Sequence, residues 1–172
     1  MAKILDENQI KDTAYHLLEI AKILLKRDGY VAPVGFLFTE EGMKGTILRF
    51  EDADSKAACI EEFKKLAKEH KAYAVILITE AWMARSDNKD DADLANDIGV
   101  KFIPGRTEQI NISIAAPYMR LVITQEIDTS DEGTPKIIGE PYELGHDIEG
   151  RIFDGLWEAE YNLVRNTSKE IN

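Results

Sequence analysis

The stretch Ala72-Tyr73-Ala74-Val75-Ile76-Leu77-Ile78-Thr79-Glu80-Ala81-Trp82-Met83-Ala84 is the most apolar in the chain, and its first half shows no alternation of apolar and polar residues. A run of this kind marks a strand buried on both faces, so it is the expected centre of a sheet. The flanking segments should cover it.

Upstream, Ile10, Ala14, Leu17, Leu18, Ala21, Leu24 and Leu25 repeat at helical spacing, and Ile20 and Ile23 widen the apolar face. Asp6 with Gln9 reads as a capping-box start, Lys26 and Arg27 suit the dipole of a last turn, and Gly29 supplies the stop. A stripe this broad predicts a helix lying against a sheet or a second chain. The runs 31–39 and 43–50, split by Glu40-Glu41-Gly42, predict a hairpin. Pro33 and Gly35 suggest that the first of these strands is an edge or carries a bulge. After the acidic stretch Glu51-Asp52-Ala53-Asp54, a second helix is expected over 54–70, with Cys59, Phe63, Leu66, Ala67 and His70 on one face.

Downstream, the acidic segment 86–99 reads as a mobile loop. The alternating runs 109–115 and 118–128 predict a second hairpin turned near Ala116-Pro117, and a short strand follows at 136–140. Ile152, Phe153, Leu156, Trp157 and Val164 place a C-terminal helix over 151–165, although Gly155 weakens it. The order α-β-β-α-β-β-β-β-α does not alternate strand and helix. It predicts one α+β domain spanning 1–172, with a single mainly antiparallel sheet of five to six strands and two or three helices packed against it.

The chain has 172 residues, 21 Lys+Arg against 32 Asp+Glu, a net charge of −11 and a hydrophobic share of 44%. A chain of this length can close a core without disulfides or metals. The acidic balance disfavours nucleic-acid backbones and anionic membrane surfaces as partners. No segment has the apolar length to span a bilayer, no signal-peptide stretch is visible, and the lone cysteine fits a reducing compartment. A cytoplasmic location is expected.

The search for chemistry returns little. One Cys and three widely spaced His form no zinc motif, so no metal and no cofactor are expected. The element order is similar to the sheet-and-helix core of JAMM-type metalloprotease and deaminase-like folds, where a ligand pair stands at or after a central strand. Thr79-Glu80-Ala81-Trp82 offers no such pair, so the resemblance implies no activity. Cys59 reads as a core residue, and His16 and His70 as packing or capping residues. His146 lies in a loop more open to function, and the carboxylates of 87–93 and 128–133 lack a calcium-loop pattern. Glu80 and Trp82 are the most informative positions. If the central strand runs through them, both share a face with Ile76 and Ile78, and a carboxylate there needs a partner. Arg85 and Arg106 are the nearest cations in sequence.

Two readings follow. The favoured one is a non-catalytic binding or protein-interaction domain, a homodimer or the partner of another protein, docking through the first helix and through Phe153 and Trp157 of the last. The alternative is a small hydrolase or ligand-transforming enzyme. Its pocket would lie at the end of the central strand, lined by Glu80, Trp82, Arg85, Arg106 and Glu108 under the 86–99 loop.

Overall fold

A computed structural model describes residues 4–83, 107–129, 133–144 and 151–157. In chain order it contains α1 (Glu7–Asp28), β1 (Val34–Thr39), β2 (Gly42–Ile47), α2 (Ala53–Glu69), β3 (Ala74–Met83), β4 (Thr107–Ala116), β5 (Met119–Asp128) and β6 (Lys136–Leu144), then a 3-10 turn at Arg151–Phe153. The strands form one six-stranded sheet in the order β2-β1-β3-β4-β5-β6, with every neighbouring pair antiparallel. The α+β class is thereby shown. The apolar run becomes β3, held between β1 and β4 with Ile76 opposite both Phe36 and Ile114.

Alternation along the strands gives the sheet two faces. On one, Ala74, Ile76 and Ile78 of β3 and Ile110, Ile112 and Ile114 of β4 meet Ile10, Ala14, Leu17, Leu18, Ala21 and Leu25 of α1. On the other, Leu37, Val75, Leu77 and Ala115 meet Phe63 and Ala67 of α2, together with Phe153 and Leu156. Each fully buried Val, Leu, Ile or Phe side chain among them contributes about 1.5–3 kcal/mol. Both helices start as their sequences predict. Asp6 accepts from the Gln9 backbone N–H at 2.9 Å and Asp52 from that of Ser55 at 2.7 Å, and α1 stops at left-handed Gly29.

Four expectations need correction. The strand after Pro33 is neither an edge nor bulged: β1 begins at Val34, one place in from the edge, and its six-residue register with β2 is regular. Pro33 stands just outside it, its carbonyl accepting from Leu48 N at 2.9 Å. Gly35 answers to packing, because a Cβ there would sit 2.4 Å from the Phe63 ring. The helix expected from 151 is only one 3-10 turn over the described residues. Gly155 (φ 89°) and Trp157 (φ 49°) both take left-handed backbone, which an α-helix cannot contain; residues 158–165 lie outside the described residues. Of the two residues expected to face a partner, Phe153 is buried in the chain's own core and Trp157 packs partly buried against it, and Lys64 of α2 clamps the segment by donating to the Asp154 carbonyl at 3.0 Å. Cys59 is half-buried and not in the core, its thiol 3.1 Å from the Arg49 carbonyl.

The last strand is longer than predicted, running on to Leu144. Proline at 141 is tolerated because β6 is an edge, and a register shift between Thr124 and Glu126 absorbs left-handed Gly139. The Gln125 amide donates across this irregularity to the Ile138 carbonyl at 2.9 Å.

Candidate functional site

Register places Glu80 opposite Ile110 and Trp82 opposite Glu108. All four therefore lie on the α1 face, Glu80 level with the buried core residue Ile110, as the alternation from Ile76 and Ile78 requires. Glu80 is half-buried, and its Oε1 accepts from the Val31 backbone N–H at 2.5 Å, which ties the strand end to the chain leaving α1. Glu108 accepts from the Thr129 hydroxyl. Trp82 is 41% exposed and is not part of the core. Arg85, Arg106, His146 and the 86–99 loop lie outside the described residues. Among the described residues Glu80 has no ion pair, and no cluster of three or more His, Cys, Asp or Glu is placed to hold a metal.

Electrostatics sets Glu80 apart. Burial pushes its carboxyl above the usual carboxylate range, the Val31 N–H pulls it back in part, and the Glu108 charge pushes it further up. A raised folded-state value means that the folded protein holds this proton more tightly than the unfolded chain. Glu80 therefore favours folding most below the unfolded value of about 4.3, and that contribution is lost as pH rises from there through the raised value. Glu80→Gln keeps an acceptor for Val31 and removes the charge. The variant should melt higher than wild type at pH 7, with the two midpoints converging towards pH 4; parallel melting curves across that range would disprove the assignment.

A second cluster had no signal in the sequence. Glu143 of β6 receives Lys11 at 2.6 Å and the Tyr15 hydroxyl at 3.0 Å, and these groups of α1 stand more than 120 positions away in the chain. The Lys11 ammonium, helped by Tyr15, holds the Glu143 carboxyl below its ordinary range. The Lys11 and Glu143 side chains are about a third exposed and Tyr15 is only partly buried, so the cluster fastens β6 to α1 and buries no charged group.

This contact also orients α1. At 100° per residue, Lys11 and Tyr15 occupy one flank of the buried stripe, while Ile20 and Leu24 occupy the other. With the first flank turned to β6, the second turns towards β1 and β2. On that side large apolar groups remain open: Ile20 (48% exposed) with Ile23 on the crest of α1, and Met43 and Ile47 (74%) on the same sheet face of β2. The described residues therefore offer two candidate places, a carboxylate-bearing strand end and the exposed apolar groups of α1 and β2 on the same side of the sheet.

No curated protein and no solved structure matches the chain. One family model does, that of bacteriophage lambda protein ea47, over residues 2–128. The matched span runs from ahead of α1 to the last residue of β5 and contains both candidate places. Since it takes in well over half of the sequence, the chain belongs to the bacteriophage lambda protein ea47 family.

Proposed function

We propose that this protein is a non-catalytic interaction domain, working in the cytoplasm as a homodimer or with another protein. The observation that carries the reading is the set of large apolar side chains left open on the α1 side of the sheet, Ile20 and Ile23 on α1 and Met43 and Ile47 on β2, although the sheet beneath has a complete core. Large apolar side chains left exposed on a strongly charged protein are what a docking surface presents. The net charge of −11 supports a protein partner over nucleic acid or an anionic membrane. No helix of the described residues is long and apolar enough to cross a membrane.

Nile red, a neutral dye that brightens on apolar surfaces, tests the flank. The native protein should enhance its emission, and Ile20→Asp with Ile23→Asp should remove most of that gain while leaving circular dichroism unchanged. A native protein that leaves the dye dark would refute the reading.

The second reading, ligand transformation at the strand end, is favoured by one observation: the half-buried Glu80 carboxyl is raised in the company of Glu108 and an exposed Trp82. In this reading Glu80 serves as a general acid or base. Arg85 and Arg106 would supply the cationic side.

A further inference from the structure

We propose that the occupant of the β2 edge is a second copy of this chain, the two β2 strands pairing antiparallel about a two-fold axis at Gly45. The inference rests on the interaction-domain reading and specifies its partner.

The two edges of the sheet differ in kind. The β6 edge carries Glu140, Pro141 and Glu143, together with left-handed Gly139 and a register shift, all devices that block strand addition. Of these the β2 edge has only a positive-φ glycine, Gly42, at its first residue beside the hairpin turn. Its pairing with β1 is regular from Gly42 to Ile47, it holds no proline and no acidic residue, and Met43, Lys44, Gly45 and Ile47 are exposed. An open, regular edge with apolar side chains is a template for another strand.

Charge then selects the occupant. Two copies of a chain at −11 repel over most of their surface, so self-association needs an acid-poor patch. Residues 42–50 contain Lys44 and Arg49 and no carboxylate. A two-fold axis normal to the sheet keeps every residue on its own face, so one residue must lie opposite itself. Centring on Gly45 sets Met43 against Ile47 of the second copy and Lys44 against Thr46. It also carries the Glu41 turn towards Arg49 of the second copy. Centring on Lys44 would oppose two ammonium groups, and centring on Thr46 would set Met43 against Arg49 and leave Ile47 facing glycine. Only the Gly45 register joins apolar to apolar and acid to base without a like-charge pair.

Sedimentation velocity of the full chain across micromolar concentrations tests this. Wild type should dimerise, and Met43→Asp with Ile47→Asp should leave a folded monomer. Thr46→Lys, which opposes Lys44 with a new lysine twice by symmetry, should weaken the dimer roughly tenfold. Adding Lys44→Glu should restore it, a rescue that loss of folding cannot imitate. A wild-type monomer at all concentrations overturns the second copy as occupant in favour of a foreign strand, and the dye experiment still decides the flank separately. A dimer that survives the Met43 and Ile47 changes, or a charge swap without rescue, also overturns the proposal.

Discussion

Phe63→Ala should lower the unfolding free energy by about 3–5 kcal/mol, roughly a fifth or more of the total for a domain of ordinary stability. The ring is 1% exposed and is the largest side chain that α2 puts into its core, among Leu37, Leu77 and Ala67. Its approach to the sheet explains Gly35: the missing side chain makes the space the ring fills, since a Cβ there would lie 2.4 Å from Cε2. Gly35→Ala should accordingly cost about 1–3 kcal/mol by overpacking. Combined with Phe63→Leu, whose branched end clears part of that space, the two costs should sum to less than their separate values by about 0.5–3 kcal/mol. Urea unfolding of the four proteins measures this coupling. Strict additivity, or a loss below about 1 kcal/mol for Phe63→Ala, would place the ring elsewhere.

The same pair shows why the sequence was legible in some places and not in others. Glycine within a β-rich run signals an edge or a bulge when judged locally, and here the cause is a helix side chain 28 positions away. Patterns confined to neighbours read correctly. The stripe of α1, its capping box, the alternation of β4 and β5 and the unbroken apolar run of β3 each encode one element by periodicity, and they suffice for the α+β class. The strand end was legible for a related reason, since a period of two puts Glu80 and Trp82 on the face of Ile76 whatever the topology. What sequence could not supply was register between distant segments. Glu143 meets Lys11 and Tyr15 only because β6 is the strand beside β5. The C-terminal helix failed differently: Phe153, Leu156 and Trp157 have helical spacing, yet left-handed backbone at Gly155 and Trp157 lets Phe153 and Leu156 turn into the α2 core. Spacing records which residues are buried, and a turn can bury them as well as a helix.

Asn111→Leu should be the most damaging polar substitution, costing about 2–5 kcal/mol because it strands two buried donors at once. On the sheet face opposite α1, Asn111 lies beside Thr79 of β3 and Thr124 of β5. Its Oδ1 accepts from the Gln109 amide at 2.9 Å and from the Thr124 hydroxyl at 3.0 Å. Gln109 and Thr124 are sealed from solvent, so neither donor can turn to water once that oxygen is gone. Gln109→Leu should be much milder, within about 1 kcal/mol of wild type: Gln109 Oε1 is itself buried with no hydrogen-bond partner, and deleting it removes an unmet demand along with one made bond. Denaturant unfolding of the two variants should show this asymmetry, and equal costs would mean that Asn111 is not the hub. The consequence reaches the strand end. A one-residue slip of β4 would turn Glu108 to the face opposite Glu80, and the Asn111–Thr124 bond joins β4 to β5 three pairs from Ile127, the residue opposite Glu108. Asn111→Leu should therefore also weaken the pH dependence assigned to Glu80, whereas Gln109→Leu should leave it in place.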